Sequence, residues 1–293
     1  QEGEMAYGLS DMLSEVFMSA SRANELMDVL RRKKNIILQG PPGTGKTFIA
    51  KRLAYSCMKA KAGDRVEMVQ FHQSYSYEDF IQGFRPQDGG GFERRNGVFF
   101  RFCERARLSP GEDFFFVIDE INRGNLSKIF GELMMLVEAD KRGDKHRVQL
   151  TYSMEGEHFS IPENVHIIGT MNTADRSLAM VDYALRRRFA FFNLPPTFNE
   201  KFAVYLASEG LSKKTTGLIQ TKLNTLNATI EADPNLGSGF QIGHSYFCSG
   251  WDKDEWQWFA NVIEYEVGPQ LLEFWFDDKP KAEEEIAKLK SRD

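Results

Sequence analysis

One glycine-rich stretch of eight residues constrains this chain more than any other feature. It reads G-P-P-G-T-G-K-T from Gly40 to Thr47 and fills every fixed position of the pattern G-x-x-x-x-G-K-[ST]. An apolar run, Ile36–Leu38, precedes it, and a helical pattern with apolar residues three, four and seven apart follows it. A loop placed between a strand and a helix N-terminus offers backbone N–H groups and partial positive charge to phosphate. The stretch therefore predicts a nucleoside triphosphate site in an α/β fold.

The residues of this loop have separate expected roles. The Lys46 side chain is expected to neutralise the β- and γ-phosphates and to stabilise charge during hydrolysis, and the Thr47 hydroxyl is expected to bind Mg²⁺. The predicted cofactors are therefore a nucleotide and Mg²⁺. The other predicted nucleotide contacts are Gly40, Pro41, Pro42, Gly43, Thr44, Gly45 and Phe48.

Composition excludes several classes of protein. With a net charge of −5 and a pI near 5.7, the surface as a whole is not that of a nucleic-acid-binding protein, although a local basic patch remains compatible. The three cysteines are far apart, which favours a reducing cytoplasm over a disulfide framework. No apolar run approaches about 18 residues, so no membrane span is predicted. The chain begins at Gln1, which suggests a fragment from which an N-terminal domain is missing.

Five apolar runs rich in β-branched and aromatic residues occur in the first two thirds of the chain. Near-continuous apolar strands that alternate with helices predict a parallel sheet covered on both faces. The expected fold is therefore α/β, with a five-stranded parallel sheet flanked by helices. The runs are Ile36–Leu38, Val66–Phe71, Phe114–Asp119, Val165–Met171 and Phe189–Leu194.

Strand patterns stop at Pro195-Pro196, and helical patterns follow. Consecutive prolines are typical of a linker, so a small all-helical lid domain is predicted after them. The chain is accordingly divided into an N-terminal helical linker segment (1–30), an α/β nucleotide-binding domain (31–195) and a helical lid domain (196–293). The predicted lid helices are Asn199–Glu209, Lys214–Glu231, Glu255–Trp275 and Pro280–Lys290.

Two inserts and one long helix complete the predicted secondary structure. The segment Phe84–Phe99 contains three consecutive glycines and predicts a hairpin or loop. Val148–Ile161 predicts a hairpin of two short strands around Glu155-Gly156. Between the inserts, Leu126–Glu138 has apolar residues on one side and predicts a helix.

Two carboxylates follow the third apolar run. A carboxylate at the carboxyl end of a parallel strand faces the crevice in which open α/β sheets bind ligands. Asp119 is therefore expected to bind Mg²⁺ or its water shell, and Glu120 to polarise the attacking water. Together they favour a hydrolase over a kinase, because a kinase must exclude water.

A second polar group ends the fourth apolar run, at N-T-A-D from Asn172 to Asp175. One interpretation is a γ-phosphate sensor, in which Asn172 contacts the γ-phosphate or the attacking water. The other is an analogue of the N-K-x-D element with which Ras-like GTPases bind guanine. The position of the motif between the acidic strand and the last strand favours the sensor, with Asp175 and Arg176 orienting Asn172 or meeting a partner.

Three adjacent arginines, Arg186-Arg187-Arg188, end a short predicted helix, Ser177–Leu185, just before the last strand. Cations near the last carbonyls of a helix complement its dipole, which is one explanation for them. The other is an arginine finger that reaches the nucleotide of a neighbouring subunit and stabilises transition-state charge. At most two of the three can serve one ligand, because adjacent helical side chains point in different directions.

Taken in chain order, these motifs resemble the AAA+ superfamily of P-loop NTPases, in the branch that contains MoxR-like and dynein-like ATPases. The motifs are G-P-P-G-T-G-K-T, F-V-I-D-E-I-N-R, M-N-T-A-D-R-S and A-L-R-R-R-F. The segments Met68–Gly83, Met171–Ala179 and Ile242–Phe247 are similar to the GTPase motor domain of the McrB family, the motor subunits of modification-dependent restriction systems. The resemblance covers about residues 30 to 280.

This resemblance implies a hexameric ring that binds GTP between subunits, with arginine fingers supplied in trans. It also implies an McrC-like endonuclease subunit that stimulates hydrolysis, and movement along DNA, which would be contacted through the assembled ring or a missing N-terminal domain. By position, Asn172 matches the sensor, and Arg187 and Arg188 match the fingers. Asp175 is added to the predicted nucleotide contacts, and so is His244, which lies in the sensor region of the lid.

Two classes of function remain open. One is a GTP-hydrolysing motor of a 5-methylcytosine-dependent restriction complex. The other is a MoxR-like ATP-driven chaperone or remodelling factor, which would share the loop, both carboxylates and the fingers. A third option is a binding switch that hydrolyses nucleotide only when a partner completes its site.

Overall fold

The structure, a computed structural model, describes residues 5–175, 183–251 and 253–292, with only the backbone of residues 183–185. The strands are β1 (Met5–Ala6), β2 (Asn35–Gly40), β3 (Ala60–Lys61), β4 (Val66–Gln70), β5 (Gln82–Pro86), β6 (Phe92–Asn96), β7 (Phe114–Asp119), β8 (Val165–Asn172) and β9 (Ala190–Asn193). The helices are α1 (Leu9–Glu15), α2 (Ala20–Lys33), α3 (Lys46–Met58), α4 (Tyr77–Phe80), α5 (Val98–Leu108), α6 (Leu126–Phe130), α7 (Tyr183–Arg188), α8 (Glu200–Ser208), α9 (Lys213–Ala232), α10 (Glu255–Val262), α11 (Gly268–Phe274) and α12 (Lys279–Lys290).

The five predicted strands form one parallel sheet, in the order β4-β7-β8-β2-β9. In β7 the first five residues are all buried, as expected for a strand covered on both faces. Its neighbours pair with it in parallel, with Val66 of β4 opposite Phe115 and Val165 of β8 opposite Phe114. Because every strand in this register points the same way, the polar residues at their carboxyl ends come to one edge of the sheet. The predicted α/β fold is confirmed.

Phenylalanine rings join helices that cover this sheet to its strand β7. Phe80 of α4 stacks on Phe99 of α5 with centroids 4.9 Å apart, and Phe99 meets Phe116 of β7 edge-on at 5.0 Å. Phe130 of α6 lies edge-on to Phe80 at 4.9 Å. All four rings are fully buried, so this cluster contributes both apolar burial and favourable ring geometry.

The predicted helix Leu126–Glu138 and the second insert differ from the structure. The helix ends at Phe130, because Gly131 adopts φ of +50°, and a short 3₁₀ segment follows. Val148–Ile161 forms a single bridge, Val148 to Phe159, rather than two strands. The first insert is a hairpin, as predicted, in which β5 and β6 pair over five residues each.

The helical region after β9 contains four of the predicted helices, one of them interrupted. The predicted helix Glu255–Trp275 is α10, a π-helical segment (Ile263–Val267) and α11 in succession. The start of α12 is fixed to the end of α9, because Lys281 Nζ donates to Asp233 at 2.6 Å and Trp275 Nε1 donates to the same oxygen at 2.8 Å. Over the described ranges, no helix has the length and apolarity that crossing a membrane requires.

The chain contacts divide the described residues into two compact units. The first unit contains most of the sheet and its helices, within Gln1–Gln39, Thr47–Met171 and Arg176–Phe192. The second contains the glycine-rich loop and the helical region, within Gly40–Lys46, Asn172–Asp175 and Asn193–Asp293.

Candidate functional site

The glycine-rich loop folds back on itself in the second unit. Gly43 and Gly45 have φ of +75° and +73°, a region in which side chains other than glycine are strained. Between them, the Thr44 hydroxyl donates to the Pro41 carbonyl at 3.0 Å. The backbone N–H of Thr173 donates to the Gly40 carbonyl at 3.1 Å. The two glycines therefore give the loop the conformation that the phosphate-site prediction requires.

Lys46 lies inside this loop. Its side chain is buried, and Nζ donates to the carbonyls of Gly40 at 3.0 Å and Pro41 at 2.7 Å. An ammonium has three donors and a full charge, so phosphate oxygens placed over the loop would find a preformed cationic donor. The geometry supports the phosphate-binding role predicted for Lys46.

Replacing Lys46 with alanine is expected to weaken triphosphate affinity by about 10- to 150-fold, the range for losing a hydrogen bond to a charged group. Binding of a fluorescent triphosphate analogue measures this change. Lys51→Ala is a matched control, because it removes the same charge from the next turn of α3. Equal affinities for Lys46→Ala and the parent would contradict the phosphate-site assignment.

A short 3₁₀ turn of the lid, His244–Phe247, packs against the loop within the same unit. The Ser245 N–H donates to the Gly43 carbonyl at 2.9 Å. A Cβ on Gly243 would lie 2.1 Å from the Gly43 backbone, so only glycine fits there. A Cβ on Gly43 would in turn lie 2.5 Å from the Tyr246 ring. The lid turn therefore fixes the path of the phosphate-binding loop.

His244 is a neutral side chain in this turn. Burial lowers the pKa of His244 to about 4. Its Nδ1 lies 3.0 Å from the Thr197 N–H and accepts from it, which leaves the ring proton on Nε2. That nitrogen is on the side of Gly45, 3.9 Å from the position of a Cβ there. At neutral pH, His244 can therefore offer an N–H donor but no positive charge.

Asp119 and Thr47 lie together in the first unit. The Thr47 hydroxyl donates to Asp119 Oδ1 at 2.6 Å, and the Thr170 hydroxyl of β8 donates to the same oxygen at 2.6 Å. Mg²⁺ prefers hard oxygen donors and is usually bound through one or two carboxylates together with phosphates and water. A hydroxyl and a carboxylate already in contact fit that donor set. Thr47 and Asp119 would hold the ion, which would supply positive charge to the phosphates.

Glu120 follows Asp119 in a strained conformation. Its φ of +51° is uncommon for a residue other than glycine, and such strain is concentrated at functional sites. Its N–H donates to Thr170 Oγ1 at 3.1 Å. The carboxylate accepts from Gln70 Nε2 at 3.0 Å and pairs with Arg123 Nε at 2.9 Å. The side chain is thus held from two sides, as a residue that orients a water molecule requires.

The remaining predicted contacts lie at separate places. Asn172 is the last residue of β8, and Asp175 follows it, half-buried. Thr173, between them, donates its hydroxyl to the Gly239 carbonyl at 3.0 Å, which anchors this segment in the second unit. Phe48 is exposed on α3, with the Arg52 guanidinium 3.4 Å from its ring centroid. Arg176 and most of the predicted helix Ser177–Leu185 lie outside the described residues.

Arg187 and Arg188 belong to the last turn of α7. The Arg187 side chain is 73% exposed, whereas the Arg188 side chain is 14% exposed. Both pair with Glu138, at 2.7 Å and 3.3 Å. The exposed guanidinium of Arg187 is therefore accessible to a neighbouring molecule.

Several residues of the site could not be recognised as functional from a single sequence. Gln70, Thr170 and Glu138 are polar residues whose partners are between 49 and 51 residues away. Arg123 could have been suspected, because it follows Glu120 at the spacing of an ion pair within one turn.

Comparison with known proteins identifies relatives of both parts of the chain. Residues 35–189 match the AAA domain family of the dynein-related subfamily, and residues 218–283 match the McrB alpha-helical lid domain. The chain is 50% identical over 290 residues to the type IV methyl-directed restriction enzyme EcoKMcrB subunit of Escherichia coli strain K12, covering 97% of this chain and 63% of that protein. It is 24% identical over 226 residues to the type II restriction enzyme BsuMI component YdiS of Bacillus subtilis strain 168, covering 62% of this chain and 64% of that protein. The chain thus spans less than two thirds of the length of either relative.

Proposed function

The chain belongs to the dynein-related AAA domain family and has an McrB-type lid, and from this premise we propose that it is the GTP-hydrolysing motor of a restriction complex that acts on DNA containing 5-methylcytosine. In this proposal, GTP is hydrolysed at the subunit interfaces of a hexameric ring. The ring binds an McrC-like endonuclease subunit and moves along DNA. The observation that supports it most is the 50% identity to a methyl-directed restriction subunit, which extends through both the AAA domain and the lid.

The proposed division of labour follows the chemistry of each residue. The loop from Gly40 to Lys46, with Thr47, binds the phosphates. Thr47 and Asp119 would hold Mg²⁺, which would neutralise charge on the phosphates. Glu120 accepts a proton from the attacking water, as a positioned general base.

The other proposed contacts surround this reaction. Asn172 contacts the γ-phosphate or the water, and Asp175, Phe48 and His244 complete the nucleotide contacts. Since His244 is neutral, we propose that it donates a hydrogen bond rather than compensating phosphate charge.

Comparing GTP and ATP side by side tests the proposed substrate. Turnover with GTP is expected to exceed turnover with ATP by at least about tenfold, which one or two discriminating hydrogen bonds would supply. Addition of the McrC-like endonuclease subunit is expected to raise the GTP rate. The measurement is phosphate release at equal nucleotide concentration, with Glu120→Gln as the background control. An ATP rate equal to or above the GTP rate would instead support the MoxR-like remodelling ATPase.

A further inference from the structure

Glu138 receives both of the candidate finger side chains. One oxygen, Oε1, accepts from Arg187 Nη2 at 2.7 Å and is 3.3 Å from Arg188 Nη2. The Glu138 side chain is only 17% exposed, so this is not a fully solvated surface pair. Two adjacent guanidinium groups repel one another, and a shared carboxylate offsets that repulsion. Glu138 therefore holds the two guanidinium groups next to one another.

The backbone of the same turn is fixed by the last residue of α2 and the first residue of β2. Lys33 Nζ donates to the Arg187 carbonyl at 2.8 Å, and Asn35 Nδ2 donates to the Arg188 carbonyl at 3.2 Å. Asn35 is fully buried and also donates to the Val137 carbonyl at 2.7 Å. The residue preceding Glu138 and the end of α7 are thus connected through one side chain.

A buried arginine, Arg142, fixes the backbone next to Glu138. Arg142 is 4% exposed, and burial lowers its pKa to about 10. Its guanidinium donates to the Val137 carbonyl from Nε at 3.1 Å and from Nη2 at 3.0 Å, and to Asn35 Oδ1 at 2.7 Å. No carboxylate among the described residues pairs with Arg142. Its buried charge depends on these acceptors, so the position of the Val137 carbonyl, and with it of Glu138, is tightly constrained.

We propose that Glu138 is the positioning residue of the arginine fingers, which rests on the proposed hydrolysis at subunit interfaces. Held by the network of Asn35 and Arg142, its carboxylate sets the direction in which Arg187 and Arg188 face a neighbouring subunit. Glu138 acts only through these arginines and contacts no nucleotide itself. Its loss therefore lowers the rate of the chemical step without changing nucleotide binding.

The first test separates turnover from binding. Glu138→Gln lowers kcat by about 10- to 100-fold and leaves KM for GTP within about twofold, since a displacement of about 1 Å at a catalytic group costs up to about 100-fold. Glu155→Gln makes the same change at an exposed residue between Val148 and Phe159 and leaves both constants unchanged. Glu138→Asp, which keeps the charge on a shorter arm, gives an intermediate kcat. Equal kcat values for Glu138→Gln and the parent would overturn the proposal.

A mixing experiment locates the defect in the subunit that donates the fingers. Glu120→Gln subunits have intact Glu138 and intact fingers but cannot hydrolyse their own GTP. Mixed with Glu138→Gln subunits, they supply good fingers to sites with a good Glu120, so turnover rises above the sum of the two parents. If Glu138→Gln subunits do not assemble, Glu138→Asp is used in the same mixture. If Glu138 instead affected the nucleotide site of its own subunit, turnover of the mixture would not exceed the sum of the two parents.

The reference mixture combines Glu120→Gln with Arg187→Ala/Arg188→Ala. If this mixture is rescued and the Glu138 mixture is not, the positioning role alone is overturned. If neither is rescued, hydrolysis with fingers in trans is itself wrong, and the positioning role is overturned with it.

Discussion

Replacing Glu120 with glutamine is expected to leave GTP binding intact and to lower turnover by about two to four orders of magnitude, the range for losing a general base. Glutamine has nearly the same shape, so the hydrogen bond from Gln70 can persist, and the strained backbone at φ of +51° is unchanged. An amide oxygen cannot accept the proton of an attacking water at neutral pH. Binding of a fluorescent GTP analogue and single-turnover hydrolysis measure the two effects separately.

The matched control is Glu163→Gln, which makes the same change at an exposed residue preceding β8. It is expected to have parental turnover. If Glu120→Gln retained turnover within a few-fold of the parent, water activation would have to be assigned to another residue. The Glu120→Gln variant also serves in the mixing experiments, because a subunit that binds but does not hydrolyse GTP can still supply arginine fingers to its neighbours.

The three inner strands of the large sheet, β7, β8 and β2, were predictable because they are covered on both faces. Phe114–Asp119, for example, is a continuous apolar run that ends in carboxylates, and few structures other than a buried parallel strand suit such a run. The helix predicted over Leu126–Glu138 was wrong in length. The apolar residues on its predicted side are buried (Leu126, Ile129, Phe130, Leu133, Leu136 and Val137), but Gly131 adopts φ of +50° and the chain turns. Periodicity predicts which side is buried better than where a helix ends.

The motifs predicted family membership and the local chemistry of the loop, since phosphate binding depends on contiguous residues. The predicted membership of the AAA+ superfamily and the McrB resemblance are confirmed by the family matches. The contacts that orient the predicted residues could not be predicted from the sequence. Asn35 and Arg142 meet across 107 residues of chain, and neither belongs to a pattern that a single sequence reveals. Such contacts form only when tertiary packing brings distant residues together. The burial of the Arg142 charge is explained by its hydrogen-bond acceptors, which the sequence does not reveal.

Substituting both Arg187 and Arg188 with alanine is expected to give the largest loss of turnover, about three to five orders of magnitude, with normal GTP binding. A finger stabilises charge that develops in the transition state, so it adds little to the affinity for the ground state. Arg186→Ala is the matched control, because it removes a cation from the same turn of α7. The measurements are GTP affinity and phosphate release at a protein concentration above that at which rings form.

Mixing the double variant with Glu120→Gln subunits decides whether the arginines act in trans. Each parent is inactive for a different reason, and only the interface that pairs an intact Glu120 with intact fingers from the neighbouring subunit is complete. Because a finger is worth about three to five orders of magnitude, even a small share of such interfaces gives turnover well above the two parents. Turnover should rise and then fall as the mixing ratio is varied. If it never exceeds the sum of the parents, Arg187 and Arg188 act within their own chain or only stabilise the end of α7, and hydrolysis across subunit interfaces would have to be abandoned.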